Sequence, residues 1–100
     1  MKTLDKMYKK AMHDIEKLRL EVDQIHHQLF ELFRRRLILT RKIWEIKKHK
    51  GLPLVDLARE EKIIHQFDSM VVDKEEQKAV QSIFGVILKE TKSYLEVKLK

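Results

Sequence analysis

The amino-acid sequence predicts an all-α fold of three helices, the first very long, on two observations. From Lys2 to Lys50 there is neither glycine nor proline, and the whole chain of 100 residues holds only two Gly and one Pro. Across that span apolar side chains recur in alternating steps of four and three, the spacing that lines one face of a helix packed against another. Hydrophobic residues at 43% and charged ones at 38% fit the same class, since long amphipathic helices need both in quantity.

Helix 1 is expected over about residues 5–50. Its seam runs Leu4, Tyr8, Ala11, Ile15, Leu18, Val22, Ile25, Leu29, Leu32 and, after one interruption, Leu39, Ile43, Ile46. Phe30, Leu37 and Trp44 form a second stripe that widens the apolar face in the middle third. "KGLP", Lys50–Pro53, then supplies both helix breakers at once. A helix of this length measures roughly 65 Å. A compact domain of the same chain length has a radius of gyration of only about 13 Å. The rest of the chain cannot cover such a rod, so a second copy is expected to.

Helix 2 is expected over about 54–67, "LVDLAREEKIIHQF", followed by a loop, "DSMVVD". Asp73 and Glu76 make a D-x-x-E capping signature that opens helix 3 at about 74–97. Val80, Phe84, Ile87, Leu88, Thr91 and Leu95 fall roughly on one stripe of it. Gly85 either weakens this helix or lets another approach closely. There is no strand pattern and no internal repeat, and one helical domain is expected over residues 1–100.

Charge and composition narrow the function classes. A formal net charge of +6 points to anionic partners without choosing among nucleic acid, an acidic membrane and a small polyanion. The absence of cysteine removes disulfide and thiolate chemistry and fits a reducing compartment. "MKTLDKMYKKAMHDIEK" has no apolar core of a signal peptide, and no run approaches a membrane span, so a cytoplasmic location is expected. A nucleic-acid binder would want a basic stripe with stacking aromatics. Here the lysines interleave with acids, while Phe30, Phe33 and Trp44 read as core, so no nucleic-acid partner is expected. A membrane-surface helix would lack the seam, and no membrane partner is expected either. His13, His26, His27, His49 and His65 show no ligand spacing such as H-E-x-x-H and read as surface or packing residues. Neither a metal nor a cofactor is expected.

The interruption in the seam falls inside "LFRRRLIL". Continuing the alternation from Leu32 lands on Arg36, whereas Arg34 and Arg35 take outer positions. A buried guanidinium must meet a carboxylate, a ligand or both. The commoner outcome is an inter-helix salt bridge that fixes register. Lys47, eleven residues on, sits about 20° round from Arg36 and ~16 Å further along, on the same face. Asp56, Arg59 and Glu60 share one face of helix 2. Singly, each is an ordinary solvated charge. Together, cations and carboxylates converging on a helical core can bind a compact ligand that carries anionic groups and a hydroxyl.

These residues carry a resemblance. "LRLEVDQIHHQLFELFRRRLILTRKIWEIKK" resembles the first helix of the all-helical, AroQ-class chorismate mutases. That family shows Leu-Arg, an Ile-Asp-x-Ile-Asp core, an Arg seventeen residues after the first, and a Lys eleven further on. Arg19, Arg36 and Lys47 stand at those spacings, and the family's Asp-x-x-Arg-Glu appears as Asp56, Arg59 and Glu60. The likeness covers about residues 15–96. It departs at His26, in place of the core's second Asp, and again in helix 3. There the family has a Phe, a Ser seven later and a Gln eleven later; counting from Phe84 gives Thr91, still a hydroxyl, and Leu95, which cannot hydrogen-bond. Glu96 lies one residue off that register.

The resemblance implies an intertwined homodimer of the AroQ type that rearranges chorismate to prephenate in phenylalanine and tyrosine biosynthesis, with no cofactor. Arg36 and the partner's Arg19 would clamp the carboxylates, Thr91 assisting. Lys47 would donate to the breaking ether oxygen. Glu60 and the backbone near Asp56 would hold the ring hydroxyl, and Arg59 would orient that group. With Leu95 where the family has Gln, Lys47 is left as sole donor to the ether oxygen, and slow catalysis is expected. An isochorismate-pyruvate lyase of the same fold and a non-catalytic helical dimer are the alternatives. Helix geometry bears on one point independently: Arg19 and Arg36 lie ~25 Å apart along one helix and about 100° apart in direction. They cannot grip one small molecule from the same chain. An antiparallel pair of chains brings one Arg19 to the other Arg36 twice over, with two-fold symmetry.

Overall fold

The computed structural model describes residues 2–100; Met1, the first residue of the expected domain, lies outside the described residues. The order is α1 (Lys2–Lys50), α2 (Leu57–His65), a 3-10 turn (Asp68–Met70) and α3 (Lys74–Lys98). Among the described residues there is no strand, and no helix is long and apolar enough to cross a membrane.

The boundaries follow from local chemistry. At the end of α1 the Leu52 N–H donates to the Lys47 carbonyl at 2.8 Å and the Gly51 N–H to the Lys48 carbonyl at 3.3 Å. This pair of reversed bonds needs a left-handed residue between them, and Gly51 supplies it at φ +68°. Lys47, Lys48, His49 and Lys50 crowd the last turn, where the helix dipole favours cations. The connection closes with Asp56, and α2 starts only at Leu57, three residues later than the sequence pattern implies. The reason is the cap: Asp56 is extended at φ −123°, ψ 95°, and its carboxylate accepts from the Arg59 N–H at 3.0 Å. Residues ahead of a capping Asp stay outside the helix, which places Leu54 and Val55 in the connection.

Beyond α2, part of the expected loop is a turn of 3-10 helix, closed by the Met70 N–H donating to the Phe67 carbonyl at 3.0 Å. Phe67 lies against Phe84 of α3, ring centres 5.5 Å apart. Asp73 caps α3 as its D-x-x-E setting implies, but the donor is the N–H of Glu75 rather than that of Glu76.

The chain divides into two compact units, one ending at Arg36 and the other Leu37–Lys100. The first is helix throughout the described residues, and its seam side chains stand in solvent: Leu18 is 60% exposed, Ile25 52% and Leu32 57%. In the second unit α2 lies on α3. Its buried residues are Trp44 on α1 with Leu88, Thr91 and Leu95 on α3, Leu95 completely. The end of α1 is tied to the end of α3 by Lys48, whose ammonium donates to the Leu99 carbonyl. The inward face of α1 in this unit is the second stripe, with Trp44 buried and Leu37 half-buried. The seam residues Leu39, Ile43 and Ile46 remain exposed. This part of α1 therefore carries two apolar faces, and its own unit covers one.

Candidate functional site

The candidate residues divide between the two units. In the first, Arg19 is exposed and Arg36 half-buried on the same helix. Seventeen residues of α-helix separate them by about 25 Å, so they cannot share a small ligand within the unit.

In the second unit the candidates come from three elements. Lys47, in the last turn of α1, is half-buried, and its ammonium donates to the Leu54 carbonyl at 3.3 Å. It thereby braces the connection that leads to α2. Of the three residues on the first turn of α2, Asp56 is committed to the cap through its carboxylate, and its carbonyl accepts the Glu60 N–H at 3.0 Å. Arg59 is exposed. Glu60 is mostly covered, its side chain 18% exposed, and its Oε1 lies 2.8 Å from Nζ of Lys92 on α3. A contact this short between opposite charges is a charge-assisted hydrogen bond.

From α3, Thr91 is buried and its hydroxyl donates to the Ile87 carbonyl at 2.6 Å. Leu95 is fully buried and Glu96 exposed. The helix turns the leucine inwards and the carboxylate out.

Two features escape periodicity reasoning. The first is Lys92: it directly follows Thr91, but nothing local marks it as the partner of Glu60 on a different helix. The second lies at the opposite end of α2. His65 Nδ1 is 2.8 Å from Asp68 Oδ2, Gln81 Nε2 donates to Asp68 Oδ1 at 2.9 Å, and Gln77 Nε2 donates to the Asp68 carbonyl at 2.8 Å. Glu61 faces the other ring nitrogen of His65 at 3.5 Å. The Gln81 hydrogen bond first, then that of His65, hold the Asp68 carboxyl below its ordinary 3.8. This cluster clasps the end of α2 to α3. Its signal in the sequence is only an i, i+3 His–Asp pair, too common to single out. His26, where the family core has Asp, faces Asp23 at 3.7 Å on the surface of α1. Among the described residues no group of histidines and carboxylates could hold a metal ion.

Chemically, the candidates of the second unit together with Lys92 offer the ammonium groups of Lys47 and Lys92, the Arg59 guanidinium, the covered Glu60 carboxylate and the buried Thr91 hydroxyl. The chemistry of such a set suits an anion bearing a hydroxyl rather than a nucleophile–base reaction. The family model described as chorismate mutase type II matches residues 18–96. That span encloses Arg19, Arg36, Lys47, Asp56, Arg59, Glu60, Thr91 and Leu95. No curated protein and no solved structure matches the chain.

Proposed function

Because the chain belongs to the chorismate mutase type II family, we propose that it rearranges chorismate to prephenate, in the cytoplasm, on the route to phenylalanine and tyrosine. The observation that carries this reading is the family match over residues 18–96, with the whole set of cations and carboxylates inside it.

The reaction is a pericyclic shift: one carbon–carbon bond forms as one carbon–oxygen bond breaks, with no nucleophile and no proton transfer. A catalyst must hold the dianion in its folded conformer and stabilise negative charge growing on the ether oxygen. In the proposed site Arg36 and Arg19 of the partner subunit pair with the two carboxylates, and Thr91 assists by turning its hydroxyl proton from the Ile87 carbonyl to the ligand. Lys47 donates to the ether oxygen. Glu60 and the backbone near Asp56 accept and position the ring hydroxyl, with Arg59 orienting that group. Leu95 adds only apolar bulk, so Lys47 is the sole donor to the ether oxygen and turnover is slow for the family.

The proposed site needs two chains, and the exposed seam of α1 supports that need. Leu18, Ile25, Leu29 and Leu32 keep between 40% and 60% of their surface in water in a lone chain. Fully burying one such side chain is worth roughly 1.5–3 kcal/mol, so half-covering each by a second copy yields about 1 kcal/mol apiece.

The test is an assay of the purified protein with chorismate and, separately, with isochorismate, the products being identified. Prephenate from chorismate is expected. Pyruvate released from isochorismate would reassign the chain as a lyase, and inertness towards both would leave a structural dimer. Arg36→Ala is expected to abolish turnover while the dimer persists with modest loss of stability. Persisting activity would make Arg36 a structural pair and refute the site.

A further inference from the structure

We infer that Lys92 is a positioning residue of the site: it fixes the Glu60 carboxylate so that its second oxygen is presented to the ring hydroxyl of the ligand. This rests on the mutase reading above. The family match brings no role for position 92; the geometry of this chain does. Lys92 Nζ lies 2.8 Å from Glu60 Oε1, and the two side chains are 36% and 18% exposed. A glutamate on the first turn of a helix has several rotamers available, and each one lost on ligand binding weakens the complex. With Oε1 taken by the ammonium, one rotamer is selected in advance and Oε2 remains to accept.

The anchor is firm at both ends. The Glu60 backbone is fixed by its N–H to the Asp56 carbonyl at 3.0 Å, inside a turn already capped by Asp56. Lys92, on α3 next to the buried Thr91, is itself half-buried, so its stem is partly held by the surrounding packing. The pair thus links the element that carries the hydroxyl acceptor to the element that carries Thr91 and Leu95. A plain staple between α2 and α3 would show the same contact, so the test must read the ligand hydroxyl itself.

The experiment compares the native dimer with Lys92→Met, Lys92→Arg, Glu60→Gln and the double variant Lys92→Met/Glu60→Gln. Steady-state kinetics with chorismate are set beside binding of a chorismate analogue that lacks the ring hydroxyl. Lys92→Met is expected to raise KM about three- to tenfold with a smaller change in kcat, and Lys92→Arg to restore most of it. In the Glu60→Gln background Lys92→Met should add nothing, because the two changes remove one interaction. The hydroxyl-free analogue should bind native and Lys92→Met protein alike. If Lys92→Met does not assemble, Lys92→Gln, which keeps a donor but no charge, takes its place in the same comparison.

Native kinetics in Lys92→Met, or a loss that is equal for the hydroxyl-free analogue and persists beside Glu60→Gln, overturns the role of Lys92 while the mutase reading stands. A native protein that neither binds nor converts chorismate overturns both.

Discussion

At position 95 the chain sets an apolar residue where the family has a hydrogen-bond donor, and the structure shows that the residue points fully inwards, with Glu96 outside. Leu95→Gln should therefore raise kcat, by up to the ~10²–10³ that one preorganised donor typically supplies, and change KM little, because the bond strengthens mainly in the transition state. The same substitution buries an amide in the apo protein and should lower its stability by about 1–3 kcal/mol in urea unfolding. Glu96→Gln should leave kcat unchanged. A kinetic response to Glu96→Gln and none to Leu95→Gln would refute the register. Arg36 with Lys47, and Asp56 with Arg59 and Glu60, were legible from spacings of eleven, three and four that fix direction along a helix, whereas Arg19, Thr91 and Leu95 stood out only through the family resemblance. What each side chain is tied to was not legible. The bonds from Lys47 to the Leu54 carbonyl and from Lys92 to Glu60 depend on how separate elements meet, which no local pattern encodes.

Among the elements, the two glycines make opposite cases. Gly51 sits at φ +68°, where a side chain is strained although nothing lies within 4 Å of a Cβ placed there. Gly51→Ala should cost about 1 kcal/mol through the backbone alone. Gly85 lies inside α3 with equally open surroundings and an ordinary helical backbone. Gly85→Ala should stabilise by ~0.5–1 kcal/mol, and thermal unfolding of both variants checks the contrast. The clasp on α2 supplies a pH dependence. Asp68 is held below its ordinary 3.8 in the folded chain, so its contribution is present above that value and is lost as pH falls through the lower, folded one. The stability gap between native protein and Asp68→Asn should accordingly be full at pH 6 and close as pH drops below the carboxylate range. A gap that widens on acidification would contradict this origin. The end of α1 was legible because "KGLP" concentrates its breakers. The start of α2 was not, since Asp56 could equally have lain inside a helix until its side chain was seen to cap one.

On the scale of the whole molecule, the expectation of a helical chain with an uncovered apolar face came from the seam, whose four-three alternation extends beyond what the remaining residues can cover. Which of the two apolar faces of the later α1 is covered at home was not legible. Ile43 and Trp44 are neighbours about 100° apart on the helix, and periodicity alone does not rank them. The structure buries Trp44 and leaves Ile43 half exposed. The exposed seam leads to a prediction: sedimentation equilibrium at micromolar concentration should show a dimer. A stably folded monomer would refute both the assembly and the shared site.

The same bare seam links the survival of a chain to the number of its neighbours. Up to Arg36 a lone chain presents a helix with exposed apolar side chains. A helix without tertiary packing opens at little cost, which makes its backbone open to proteolysis. In the proposed dimer this seam is covered, so solitary copies should be degraded first and paired copies should last longer. Slow synthesis would leave chains to be cleared before they meet, whereas a burst of synthesis would let them shelter one another, so turnover becomes a readout of supply.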